Sequence, residues 1–127
     1  EIVLNAKDNR EVVFSSSDAD TNICCDRKLL KILVDHLIMQ NWNQMHNLHI
    51  TFQPENNVLN VFFTFSDIHK DEEELANLFS PSKENFSYYI VRQIIREHDA
   101  RYGHPGLRLN ALQKEEGFTI YFSLMSK

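Results

Sequence analysis

Apolar positions along the chain change period several times, and each change predicts an element. From Asp26 to Trp42 (DRKLLKILVDHLIMQNW) they recur at helical spacing, with Leu29, Leu30, Leu33, Leu37 and Ile38 on one stripe. Asp26 stands where an N-cap is expected, and neither Pro nor Gly interrupts the run as far as Met45. Leu48 to Phe52 and Val58 to Phe65 are rich in β-branched and aromatic residues and predict two strands, with a hairpin turn at Pro54 to Asn57. Asp71 to Phe79 (DEEELANLF) reads as a short helix with carboxylates in its first turn, where the helix dipole favours them. After a loop at Ser80 to Glu84, a second long helix starts at Asn85 or Ser87. It runs to about Tyr102, with Ile90, Val91, Ile94 and Ile95 on its apolar face. Leu107 to Leu112 and Phe118 to Leu124 predict a closing hairpin around Gln113 to Gly117. At the start, Glu11 to Ser16 and Asn22 to Cys25 are expected strands on either side of Ser17 to Thr21; Glu1 to Ala6, ahead of the turn at Lys7 to Arg10, alternates only weakly, as an edge strand does, and is not counted in the element order. The order β-β-α-β-β-α-α-β-β predicts a two-layer α/β (α+β) sandwich, a mixed sheet with helices on one face.

Composition narrows the function. The 127 residues suit one domain with a true core, and the net charge of −5 argues against a general nucleic-acid binder. No apolar run is long enough to span a bilayer as a helix. The chain begins at Glu1 without a signal-like stretch and is expected to be a fragment of a longer protein. Cys24 and Cys25 are adjacent and read as reduced thiols, which fits a cytosolic setting. The three glycines, Gly103, Gly106 and Gly117, all lie near the end, so no Gly-rich phosphate cradle exists in the first hundred residues.

Candidate chemistry is sparse. His36 and Gln40 lie four apart on the first long helix and share a face, which makes that helix either a wall of a ligand site or a core helix with a wet edge. Of the six histidines, only His46 and His49 approach zinc-ligand spacing, and no nucleophile motif is present, so no catalytic residue is assigned. Lys83, Arg92, Arg96, Arg101 and Arg108 are either phosphate contacts or surface charges.

These segments, in this order, resemble the C-terminal ATP-binding domain (HATPase, Bergerat fold) of two-component sensor histidine kinases over about residues 11–124. CCDRKLLKILVDHLIMQN is similar to that family's Leu-x-x-Ile-Leu-x-Asn-Leu-Leu-x-Asn-Ala helix. His36 falls on the first Asn, Gln40 on the magnesium-holding second Asn, and Asn41 on the Ala. FTFSDIHKDEEELANLF resembles the strand and acidic helix around Asp-x-Gly-x-Gly, with Asp67 on the adenine-reading Asp and neither glycine kept. SPSKENFSY stands in place of the lid and its Gly-x-Gly-Leu turn, with Asn85 and Ser87 for the glycines. YIVRQIIREHDA and EEGFTIYFSLM are similar to the helix and strand that follow.

The resemblance implies cofactor positions at Asp67, His36, Gln40, Asn85 and Ser87, a metal position at Gln40, and ATP with magnesium as cofactors of an active domain. It implies dimerisation and phosphoacceptor helices or a response-regulator receiver domain as partners, and the cytosolic part of a sensor as location. Scaffold positions match throughout, while nucleotide-contact positions mostly do not. The expected function is therefore a degenerate domain with weak or lost nucleotide binding that acts through protein contacts, a pseudokinase. The alternatives are a divergent, working kinase domain that phosphorylates a His outside this chain, and a stand-alone phosphotransfer or adaptor protein. Phe86, Tyr88 and Tyr89 are expected to fill the vacated pocket.

Overall fold

A computed structural model describes residues 2–5 and 11–16 as strands, and residues 25–103 and 108–125 with their side chains. The expected turns at 7–10 and 17–21, the strand start at 22–24 and positions 104–107 lie outside the described residues.

Six strands form one mixed sheet: β1 (Ile2–Asn5), β2 (Glu11–Ser16), β3 (Asn47–Glu55), β4 (Val58–Phe65), β5 (Asn110–Lys114) and β6 (Gly117–Met125), in the spatial order β1-β2-β3-β4-β6-β5. Only β2 and β3 pair in parallel, joined through helix α1 (Arg27–Asn41), which is the crossover a parallel pair needs. α2 (Glu72–Ala76) and α3 (Phe86–Tyr102) lie between β4 and β5 in the chain. This is the mixed α/β arrangement that the sequence pattern predicts.

Alternation along the strands selects the face that the helices cover. Leu48 and Ile50 of β3, Val61, Phe63 and Phe65 of β4, and Phe118, Ile120 and Phe122 of β6 are buried in one cluster with Leu33 and Leu37 of α1 and Tyr88, Val91, Ile94 and Ile95 of α3. Phe65 stacks on Phe118 and Phe63 on Phe122 across the β4–β6 pairing, with ring centroids 5.8 and 6.1 Å apart. The intervening residues point the other way and pair with each other. Thr64 and Thr119 hydroxyls lie 3.1 Å apart, Ser123 donates to Asn60 at 2.5 Å, and Phe62 stacks on Tyr121.

Several boundaries differ from the sequence expectation. β3 extends through Pro54, because β2 ends opposite Phe52 and Pro54 needs to pair only with Leu59 on the β4 side. The turn is therefore Asn56–Asn57, with Asn56 at φ 52°, which Asn tolerates. α2 stops at Ala76 rather than Phe79, since the Asn77 side chain takes the Glu73 carbonyl and Pro81 follows. β5 begins at Asn110, three residues later than expected.

The two long helices are locked by their caps. The Asp26 carboxylate accepts the Leu29 amide at 3.1 Å and the Arg101 guanidinium at 3.1 Å. The Asp26 N–H donates to His98 Nε2 at 3.0 Å, while Nδ1 of that buried ring lies 3.0 Å from the Ile94 carbonyl. An Nε2 that accepts leaves Nδ1 as the donor, so the contacts select the neutral Nδ1-protonated ring. α1 and α3 are thus tied at one end by main-chain and side-chain bonds. Among the described residues, no helix is long and apolar enough to cross a membrane.

Candidate functional site

Four of the five side chains that the resemblance assigns to a nucleotide cleft, His36, Gln40, Asn85 and Ser87, gather where the C-terminal half of α1 meets the start of α3, and Asp67 stands apart from them. His36 and Gln40 project from α1 one turn apart. His36 Nδ1 lies 3.0 Å from the Ser87 hydroxyl, and the Gln40 amide donates to the Glu84 carbonyl at 2.8 Å. The partner of His36 is thus 51 residues away in the chain, brought to it by the approach of α3. Together the two contacts stitch α1 to the segment that stands in place of the lid.

Beneath them lies a pair that the sequence reading did not single out. Asn41 is 2% exposed, and its amide donates to the Leu37 carbonyl at 2.7 Å. Its oxygen accepts the Tyr88 hydroxyl at 2.7 Å. Tyr88 is 1% exposed, edge-on to both Phe79 and Phe118. Burial pushes its phenol well above the usual range, which the contact with Asn41 offsets only in part. The signal was available, because Asn41 continues the Leu33–Leu37 spacing and so is a polar residue on the buried stripe, in need of a partner.

The three aromatic residues expected to fill a vacated pocket differ in burial. Tyr88 fills the core between α1, Phe79 and Phe118. Phe86 is 55% exposed at the first turn of α3, on the far side of the helical period from Val91 and Ile95. Tyr89 is half-buried and accepts from the Gln93 amide at 3.2 Å.

Asp67 follows the end of β4, and Asp67 Oδ2 accepts the backbone amides of His46 (3.1 Å) and Asn47 (3.0 Å). It caps the connector that leads into β3 and leaves the α2 start to Asp71, which forms a capping box with Glu74. The turn after Asp67 is pinned to the sheet, with the Phe118 amide donating to the Ile68 carbonyl at 3.2 Å and the Lys70 amide to Gln113 Oε1 at 2.8 Å. Among the described residues, Asn56 is the one non-glycine at positive φ. The backbone at 67–71 and 80–88 therefore adopts none of the left-handed conformations that glycines provide in a phosphate cradle. Asn85 caps α3 without a side-chain bond; its amide instead donates to the Ser82 hydroxyl at 3.0 Å.

One cavity of about 250 Å³ remains between the turn after Asp67 and the lid segment. Asp71, Glu73, Glu74 and Glu84 line it, against Lys70, which pairs with Glu74 at 3.8 Å. That charge opposes a polyphosphate. Among the described residues, no group of three or more His, Cys, Asp and Glu side chains converges as a metal site.

No protein-family profile and no curated protein sequence matches the chain. Solved structures do. The nucleotide-free catalytic domain of histidine kinase ThkA superposes with a TM-score of 0.74 at 18% identity, over 90% of this chain and 77% of that one. The ATP-binding domain of PrrB from Mycobacterium tuberculosis gives 0.70 at 13% identity, over 91% and 81%. ThkA in complex with response regulator protein TrrA gives 0.73 at 19%, over 91% of this chain and 34% of the kinase. The chain therefore has the fold of the catalytic, ATP-binding domain of histidine kinases.

Proposed function

We propose that this chain is a degenerate histidine-kinase-type ATP-binding domain of a two-component signalling protein, with nucleotide binding weak or lost, acting through protein contacts on the cytosolic side. The observation that carries this reading is the closure of α1 onto the lid segment. His36 and Gln40, on the first Asn and the magnesium-holding second Asn of the family pattern, are bonded to Ser87 and to the Glu84 carbonyl. Tyr88 and Asn41 occupy the space below. Asp67, at the adenine-reading position, already accepts two amides. A nucleotide would have to break these bonds and enter a cavity lined by four carboxylates.

A domain of this kind acts by docking. By analogy with ThkA, whose structure is known with a response regulator, the partner is a receiver domain or the dimerisation helices of a sensor. An active, divergent kinase domain is the competing reading; in it Gln40 holds magnesium, Asp67 reads adenine, and the phosphoacceptor His lies outside the chain.

Calorimetry with magnesium-ATP separates the two. The degenerate reading predicts a Kd no tighter than about 1 mM. Micromolar affinity that is lost in Asp67→Asn, a substitution that keeps an acceptor for the His46 and Asn47 amides, overturns it.

A further inference from the structure

A second concavity of about 380 Å³ opens between the end of α2, the middle of α3 and the approach to β5. Its volume falls in the usual range of small-ligand sites. Leu75, Phe79 and Leu109 are among its apolar lining, and three arginines line it too: Arg92, Arg96 and Arg108. Arg92 and Arg96 are four apart on one helix face, where like charges repel. Arg92 is steadied by donating Nη1 to the Phe79 carbonyl at 3.3 Å, which leaves its remaining N–H groups free to turn toward the cavity.

The charge pattern is what sets this place apart. The chain carries a net charge of −5, yet Asp99 is the one carboxylate lining this cavity, against three guanidiniums. By contrast, Arg101 near the end of α3 pairs with Asp26 and Glu97, and Lys70 ahead of α2 pairs with Glu74. Among the described residues neither Arg96 nor Arg108 forms an ion pair. Three planar forks brought together from a helix and a separate loop, beside an aromatic and aliphatic wall, match a phosphate carried by a small apolar group.

We propose that this cavity binds a small organic phosphate monoester, its phosphate held by Arg92, Arg96 and Arg108 and its organic part laid on Leu75, Phe79 and Leu109. The site shares no lining residue with the 250 Å³ cavity beside the lid segment and stands whether or not a nucleotide binds there.

The test uses phenyl phosphate as probe, with phenol and inorganic phosphate as partial mimics, followed by NMR amide shifts and calorimetry on the intact chain. Saturable binding with a Kd of about 1 mM or tighter is expected, with shifts at Arg92, Arg96 and Leu109. Phenol should not bind, and inorganic phosphate should bind more weakly than the ester. The double variant Arg96→Gln/Arg108→Gln should weaken binding at least about tenfold at unchanged Tm, since both side chains are exposed. Arg108→Lys, which keeps charge but loses the fork, should fall between. Gln40→Ala should leave binding unchanged. No saturable binding, binding indifferent to the double variant, or shifts confined to Gln40, Glu84 and Ser87 each overturn the proposal.

Discussion

Tyr88 carries a hydroxyl sealed from water, with Asn41 as its partner. Removing that hydroxyl in Tyr88→Phe leaves a buried amide oxygen without a donor. Stability should fall by about 1–3 kcal/mol in urea unfolding, and Tyr88→Phe/Asn41→Leu should recover part of it. The phenol is also a pH probe. Its folded pKa lies above the unfolded value, so the neutral form is bound in the fold. Its contribution is complete below about pH 10 and is lost as pH rises beyond that. Alkaline denaturation followed by circular dichroism should show this loss, and Tyr88→Phe should reduce its steepness. Gly117 is a second residue whose identity the fold dictates. It sits at φ 143°, and a Cβ there would stand 2.4 Å from the Phe65 carbonyl oxygen and 2.7 Å from Ser66 Cα. Both neighbours are backbone and cannot yield, so Gly117→Ala should cost about 3 kcal/mol, measured the same way.

At the scale of elements, the joint between α1 and α3 carries the arrangement. Asp26 caps α1 through the Leu29 amide and reaches Arg101 on α3, and these contacts hold its carboxyl below the usual range, the Leu29 amide contributing most. A depressed pKa stabilises the fold above the unfolded value and loses that effect as pH falls through the folded one. Thermal melts should therefore show Tm falling below about pH 4 in the native chain, and less so in Asp26→Asn. The elements themselves were legible. The α1 and α3 periods, the Asp26 cap and the aromatic strands follow from local pattern, because each buries one face against a shared sheet. The misplaced boundaries had non-local causes. Pro54 stays in β3 only because β2 ends early, and α2 stops where Asn77 turns on its own helix.

For the whole molecule, the sheet and the helix layer come from the same buried stripes, and the fold of histidine-kinase ATP-binding domains follows at 18% identity to ThkA. The candidate site was legible in part. His36, Gln40, Ser87 and Asn85 do converge near the start of α3, as their places in the pattern implied. What pattern could not give was how each spends its polar groups. His36 turned out to face Ser87, Asp67 turned to the β3 connector, and Asn41 took Tyr88, all of which depend on the packing of helices far apart in sequence. The arginine cavity likewise joins residues from α2, α3 and the approach to β5 that no local motif connects.

The proposed loss of nucleotide binding rests on the contacts that hold α1 against the lid segment. An NMR titration of the ¹⁵N-labelled chain with magnesium-ATP tests it most directly, read at the amides of Gln40, Asp67, Glu84, Ser87 and Tyr88. With α1 held against the lid segment, these five should stay unshifted as nucleotide rises to millimolar concentration, whatever happens at Arg92 and Arg96. Saturable shifts at all five, abolished by Gln40→Ala, would contradict it.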